Sequence, residues 1–479
     1  MTPLSFLLLL PLHASAPATA PAAAAAAAGS SPSPATIPAT TEARPILSLD
    51  AAEQNALRNQ PLLREARAAT DASVGRIEQS RSGYLPQVTG TATVEQATNN
   101  LQFRPGVTVN SGATPVTGTL NGTPFTATIP SSPIPGVSWN PSSNYWQFNV
   151  TATQLIYDFG QTREKWRASE KATDSLTATE RTTQHTILLN VRTAYFTARA
   201  DKALVKVAFD TLSNQQKHMA QVVGFVGAGT NPEIDLATAR TAVANARVAL
   251  ITAQNNYDTA RAQLNLAIGV NASTNYDVAD EGLKPVDGED QSPEVLFPTA
   301  IKNRPELRSL TLQRESLELT VKSLKGQYGP SIAAVANLSE VGLVGSGDSI
   351  RPNWYVGGSL TWPFISGGLT QGQVHEAQAN VHNEQAQIEA EQLQVHLDIE
   401  QALLAVRAAK ASIDAAEEAV TNARLQLKLA EGRYAQGVGS IIELDDAQVA
   451  MTSAAAQAVQ ADYNLATARA QLLTALGRP

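Results

Sequence analysis

Histidine is the residue type to weigh first, because it is the usual general base and metal ligand near neutral pH. The 479-residue chain has six histidines and no cysteine. His375-Glu376 and His382 come nearest to a metal-hydrolase signature, but such a site needs two histidines four residues apart on one helix face. Here the second lies seven residues on, so they read as a solvated helix surface. His185, His218 and His396 stand alone, and no serine nucleophile elbow occurs. Gly224-Phe225-Val226-Gly227-Ala228-Gly229 has the glycine content of a phosphate loop, yet no strand precedes it and no Gly-Lys-Ser/Thr follows. Glu443, Asp445 and Asp446 read by themselves as first-turn acidic residues favoured by a helix dipole. No catalytic, metal or cofactor set emerges, and the chain is expected to do no covalent chemistry.

The elements that carry these residues are unusual in composition. The chain is 43% hydrophobic but only 5% aromatic, and alanine dominates. Buried alanine removes little apolar surface from water, so it serves best where helices approach closely. A formal charge of −8 offers no cationic footprint for nucleic acid. The absence of cysteine excludes disulfides, thiolate sites and a lipid anchor on an N-terminal cysteine. No stretch beyond the N-terminus approaches the ~18 apolar residues of a membrane helix, so bilayer contact must come from strands or an amphipathic surface. Residues 1–20 read as an export signal, with an apolar run from Leu4 to Leu12 followed by Ala14-Ser15-Ala16 and Ala18-Thr19-Ala20. Residues 21–45, nearly all Ala, Pro, Ser and Thr, are expected to be a disordered linker.

Length alone suggests several globules, but the rest of the chain is one architecture used twice. Ala56-Leu57-Arg58-Asn59-Gln60-Pro61 aligns with Ala300-Ile301-Lys302-Asn303-Arg304-Pro305 at an offset of 244, which also pairs Tyr84 with Tyr328. Further on the offset is 208, pairing Trp146 with Trp354, Gly160 with Gly368 and Ala260-Arg261-Ala262-Gln263-Leu264 with Ala468-Arg469-Ala470-Gln471-Leu472. The first repeat is expected over 46–270, with strands near 87–97 and 145–157, a long loop 98–144 and a helical hairpin 161–269. A linker 271–292 follows. The second repeat covers 293–479, with strands near 331–341 and 353–364 and a hairpin 369–476. Each repeat reads as helix, strand, loop, strand, helix, turn, helix. The loop carries 36 extra residues relative to the second repeat, with a small hairpin expected around Val116 to Thr128.

In the second hairpin, Ile399, Val406, Ile413, Val420, Leu427 and Tyr434 recur every seven residues, with alanine three after each of the first five. A strict seven-residue period forces helices to supercoil. The strands alternate differently: Trp354, Val356, Gly358, Leu360 and Trp362 against Tyr355, Gly357, Ser359 and Thr361. One face is apolar with aromatics at its ends and the other is mostly polar, the pattern of a strand between lipid and a wet lumen. Trp354 to Trp362 spans about 26 Å at ~3.3 Å per residue, close to a tilted membrane strand. Trp146, Trp354, Trp362 and Tyr157 then form an aromatic girdle. Four strands cannot close a membrane barrel, and open edges do not survive in lipid. Twelve strands from three chains are the economical solution. The fold class expected is a membrane β-barrel joined to a long α-helical coiled-coil barrel, built from a duplicated helix-strand-strand-helix-helix repeat and completed in a trimer.

In this arrangement the chain resembles the TolC-like outer-membrane efflux protein family. The resemblance runs from about Leu47 to Gly477 and rests on Leu49-Asp50 leading to Asn59-Gln60-Pro61, Gly83-Tyr84-Leu85-Pro86, Leu155-Ile156-Tyr157-Asp158-Phe159-Gly160 and Gly437-Val438-Gly439-Ser440-Ile441-Ile442-Glu443-Leu444. It implies a homotrimer held in outer-membrane lipid, extending into the periplasm of a Gram-negative-type cell and docking a periplasmic adaptor and an inner-membrane pump. It also implies a passive exit duct whose helix-hairpin tips close a periplasmic aperture. Counted from Gly437, the family's acidic aperture ring falls on Glu443 and Asp446, with Asp445 between them; such a ring favours cations and is plugged by multivalent ones. The family's closing network falls on Tyr434 and Asp235, but its arginine position is Gly439 here. Gly227 and Gly229 with Gly437 and Gly439 mark the two hairpin tips as mobile turns for docking and opening. Two other readings use the same features: a duct for secreted polypeptides, and a soluble periplasmic coiled-coil scaffold or adaptor.

Overall fold

The structure is a computed structural model that describes residues 45–97, 115–120, 123–128, 143–230, 232–343 and 352–479. The expected export signal and all but the last residue of the linker lie outside the described residues, as do 98–114, 121–122 and 129–142 of the long loop. Pro45–Pro479 forms one contact unit.

Its first repeat contains β1 (Ile46–Leu47), α1 (Leu49–Asn59), α2 (Pro61–Ser82), β2 (Gln87–Ala97), the hairpin β3 (Pro115–Leu120) and β4 (Thr123–Thr128), β5 (Ser143–Tyr157), α3 (Gln161–Gly227) and α4 (Glu233–Ile268). β6 (Asp277–Val278) then pairs in parallel with β1. The second repeat contains α5 (Pro293–Asn303), α6 (Pro305–Gly326), β7 (Ser331–Leu343), β8 (Asn353–Thr361), α7 (Leu369–Ala435) and α8 (Ile441–Ala475).

One departure from the sequence reading recurs in both repeats. A single helix was expected ahead of each strand pair, and the structure has two. Proline has no N–H to donate and clashes with the preceding turn, so Pro61 and Pro305 end one helix and start the next at N1. The linking residues Gln60 and Arg304 are extended, and their N–H groups bond back to Ala56 O and Ala300 O, both at 2.9 Å. Each break receives the end of its own repeat. Gly269, with φ +77°, lies so close that a Cβ would stand 2.8 Å from Gln60 Cα; Gly477, with φ +65°, meets Asn303 C at the same 2.8 Å. Only glycine fits both the left-handed backbone and the contact.

The two 67-residue helices α3 and α7 each extend about 100 Å at ~1.5 Å per residue. Near the strands, α3 packs against α2 and α6, and α6 against α7. Towards the tips, α3 packs against α4 on one side and α8 on the other, and α8 packs against α7. The tip half is therefore a row in the order α4–α3–α8–α7. The heptad alanines form its seams: Ala402, Ala409, Ala416, Ala423 and Ala430 of α7 are buried, as are Ala447, Ala454, Ala461, Ala468 and Ala475 of α8. A methyl side chain at each crossing brings the backbones together, as a closely wound wall requires.

The strands form an antiparallel sheet in the order β2–β5–β7–β8. Register places Val88, Gly90, Ala92 and Val94 beside Ala152, Val150, Phe148 and Trp146, and these beside Ala336, Leu338, Glu340 and Gly342. Apart from Glu340 this face is apolar. The other face carries Thr89, Thr91 and Thr93 beside Thr151, Asn149 and Gln147, and Asn337 Nδ2 donates across it to Asn149 Oδ1 (2.6 Å) and Thr151 Oγ1 (2.9 Å). β8 ends at Thr361, short of the 353–364 expected, because Pro363 cannot donate to the ladder. Trp362 therefore sits just past the strand, with its Nε1 donating to Tyr328 O at 3.1 Å and its ring 4.5 Å from that of Phe364.

Candidate functional site

The tips of the two hairpins bring together most of the residues singled out in the sequence. The first tip is less glycine-loose than expected. α3 runs as helix through Gly224 and Gly227, and the chain closes after it with Ala228 N–H on Gly224 O (3.0 Å), Gly229 N–H on Val226 O (2.9 Å) and Thr230 N–H on Phe225 O (3.0 Å). These bonds satisfy the last carbonyls of the helix. α4 then begins with Glu233 and Asp235 in its first turn, and Asp235 N–H bonds to Pro232 O at 3.1 Å.

The second tip is the tighter. Gly437, with φ +72°, reverses the chain, and Val438 N–H and Gly439 N–H both reach Arg433 O at 3.0 Å. Ser440 caps α8 by accepting from Glu443 N–H at 3.1 Å. Gly439 is pressed against the end of α7: a Cβ there would lie 2.9 Å from Tyr434 N and 3.1 Å from Arg433 C. Here the backbone itself fills the place that a side chain would need.

An arginine is nonetheless present in this turn. Arg433 Nε lies 3.0 Å from Glu443 Oε1, both side chains being about half exposed. Tyr434 is buried, with its ring edge-on to Phe225 at 5.9 Å. It belongs to an apolar cluster with Val222, Leu427, Leu444 and Ala447, which joins the first hairpin to the second.

The three carboxylates of α8 diverge. Asp446 is exposed and Glu443 half-buried. Asp445 turns back into the seam with α3, where Gln215 Nε2 is 3.5 Å from its Oδ1. Burial pushes its carboxyl above the usual aspartate range, against the lowering effect of Gln215. The same seam holds His218, buried at 7% exposure, with Nε2 3.5 Å from Glu431 Oε1 of α7. Sequence reasoning passed over Gln215, Glu431 and Arg433, and set His218 aside as standing alone. Thr211, Gln215 and His218 occupy successive seam positions of α3 that a coiled coil would make apolar, and that polar interruption was the available signal.

The aromatic positions fall at two levels of the sheet. Trp146 and Trp354 lie towards the end remote from the helices, and Tyr157 and Trp362 lie at the helical end. Trp354, Trp362 and Tyr157 are exposed. Among the described residues no group of three or more His, Asp or Glu side chains could hold a metal ion, and no helix is long and apolar enough to cross a membrane.

Comparison with known proteins agrees with this architecture. A family profile described as "Outer membrane efflux protein" matches residues 52–270 and 296–478. The chain is 27% identical over 348 residues to the solvent efflux pump outer membrane protein SrpC of Pseudomonas putida, covering 70% of this chain and 71% of that one. It is 25% identical over 449 residues to the outer membrane protein TolC of Escherichia coli K12, covering 88% and 81%. Among solved structures, the CmeC outer membrane channel of Campylobacter jejuni superposes with a TM-score of 0.72 at 18% identity, covering 90% of this chain and 85% of that one. CusC gives a TM-score of 0.72 at 17% identity, covering 90% and 92%.

Proposed function

This chain belongs to the outer membrane efflux protein family, and on that premise we propose that three copies close a single outer-membrane exit duct. The observation that carries the proposal is that both rows of elements are open, and open in the same sense. The sheet has β2 of the first repeat at one edge and β8 of the second at the other. The helical row has α4 of the first repeat at one edge and α7 of the second at the other. A ring of copies that pairs β8 with the next β2 also brings α7 to the next α4, so one rotation closes both walls. The free helix edges are apolar: Leu393, Leu404 and Leu425 of α7 and Ile234, Val248 and Leu266 of α4 are all exposed in the single chain. Three copies give twelve strands, which completes a membrane barrel.

In that ring the apolar sheet face meets lipid and the Thr- and Asn-bearing face lines the lumen. The hairpin tips narrow to the periplasmic aperture, with Asp446 and Glu443 towards its axis, and present the docking surface for a periplasmic adaptor coupled to an inner-membrane pump. The duct itself is passive, and the inner-membrane pump supplies the driving energy. The pump and adaptor select the cargo.

Extraction of outer membranes with detergent, followed by electrophoresis with and without heating, tests the assembly. A heat-modifiable trimer of the 50.5 kDa chain that conducts ions in planar bilayers is the expected result. Clean release by salt or osmotic shock, or a stable monomer, would refute it.

A further inference from the structure

We propose that His218 is a proton-operated latch between the two hairpins of one protomer, with Glu431 of α7 and Asp445 of α8 as its counter-charges. The proposal rests on the hairpin tips forming the periplasmic aperture, since the latch sits one turn above the apolar cluster that joins them.

A neutral imidazole carries one N–H donor and one acceptor. His218 is 7% exposed, and neither Nδ1 nor Nε2 has a hydrogen-bond partner. Burying two unmatched polar atoms is costly, and proteins rarely retain such a group without a use for it. What surrounds it is anionic. Glu431 Oε1 stands 3.5 Å from Nε2 without forming a hydrogen bond, within reach of a small side-chain turn. Asp445 of α8 interacts electrostatically with the same ring, and exposed Asp446 lies behind it. On α3 itself Lys217 is exposed, and Gln215 is occupied with Asp445. In the tip half of α4 the buried positions are Ala239 and Ala246, which carry no charge, and half-buried Asp235 stands in its first turn. Arg433, the nearby cation of α7, is paired with Glu443.

Protonation turns both ring nitrogens into donors and places a positive charge between carboxylates of two different helices. Uptake of the proton from water therefore draws α7 and α8 onto α3 and holds the seam shut; its loss leaves a neutral ring with unmatched nitrogens and lets the hairpins part. The polar positions beside His218 are lightly tied, whereas the seam is held further along by Arg199 Nη2 on Asp462 Oδ2 at 2.8 Å and at the tip by the apolar cluster. Thr211 and Thr452 hydroxyls meet at 3.0 Å, but Gln448 Oε1 is buried without a partner.

The chain has no cysteine, so K217C with V449C places two spin labels on exposed positions either side of the seam without interference. Distances measured by pulsed electron spin resonance in the trimer at about pH 5.5 and about pH 8 test the latch. The expected result is one narrow distance in acid that lengthens or broadens at the higher pH. The H218Q variant should show the broad distribution at both. An unchanged distribution in the otherwise native chain, or a pH response that survives H218Q, would overturn the proposal. Should H218Q fail to assemble, E431Q with D445N keeps the imidazole and must lose the same response; retention would equally overturn it. Bilayer conductance should rise about twofold or more between the two pH values. Distances that respond while conductance does not would leave the latch standing and remove the tips from the aperture.

Discussion

Arg433 Nε lies 3.0 Å from Glu443 Oε1 across the turn that joins α7 to α8. Glu443 also gives its N–H to Ser440 Oγ, so this carboxylate is engaged within its own hairpin while Asp446, three residues on, is exposed. The pair is exposed as well, and exposed ion pairs contribute about 0–1 kcal/mol. Its importance is therefore to the local field rather than to stability.

Single-channel recording separates the two carboxylates. Asp446→Ala should weaken block by trivalent cations severalfold and raise conductance, whereas Glu443→Ala alone should do less. Arg433→Gln frees Glu443 and should lower the concentration of trivalent cation needed for block, with little change in melting temperature. Unchanged block in Asp446→Ala would take Asp446 out of the aperture.

An arginine placed at position 439 should not create a lock. A Cβ at Gly439 meets the backbone of Tyr434 at 2.9 Å, so even Gly439→Ala overpacks the turn, at about 1–3 kcal/mol. Amide hydrogen exchange should show the turn from 436 to 442 opening faster in Gly439→Ala than in the parent chain. Gly432→Ala is the contrast, since nothing lies within 4 Å of its Cβ and alanine is favoured inside a helix by about 0.5–1 kcal/mol. Equal protection in both variants would show that the close approach at Gly439 carries no strain.

The strand sheet and the helical row were legible because the chain states them twice. Alternation marked the strands, and the seven-residue spacing of alanine marked the helical seams, so the mixed strand-and-helix class with four strands per chain could be read directly. The tip contacts could not. Arg433 and Glu443 are ten residues apart on two different helices, and what brings them together is the backbone of the turn, with Gly437 at φ +72°. The breaks at Pro61 and Pro305 were written in the sequence, yet a continuous apolar pattern on both sides concealed that each helix stops and restarts. Divergence of Glu443, Asp445 and Asp446 depends on which face of α8 meets α3, and no local pattern fixes that.

Acid should loosen the junction between linker and hairpin before it affects the strands. Burial alone would raise the Glu289 carboxyl, but hydrogen bonds from Arg469 and Lys410 and from the Val286 N–H outweigh it and bring it down to about 2. Arg469 holds both carboxylate oxygens, each at 3.0 Å. Because the folded-state value is depressed, the stabilisation is fully present above about pH 4.5 and is lost as pH falls towards 2. It amounts to on the order of 3 kcal/mol. Glu289→Gln should lower the melting temperature at pH 7 and much less at pH 2.5; a constant difference would remove the carboxylate as the cause.

Glu340 breaks the apolar face of the sheet, where register sets it beside Phe148, and its Oε1 is buried without a partner. A carboxylate on a lipid-facing strand is destabilising, more so towards the bilayer midplane. Glu340→Leu should raise the temperature at which the heat-modifiable trimer dissociates, and Glu340→Gln should raise it less. A lower temperature in both would place this side chain in a polar contact instead.

The contact of Gly269 with Gln60 and that of Gly477 with Asn303 are the same clasp made twice. Each fastens the last turn of a repeat to the break in its own first helices, so neither repeat borrows its closure from the other. The covalent linker 271–292 then joins two repeats that are each closed on themselves, and adds contacts of its own through the pairing of β6 with β1 and the ion pair of Glu289 with Arg469. A half-length chain would keep one clasp, one hairpin and one strand pair, but would lose the pairing of β5 with β7 and the packing of α3 on α6 and α8.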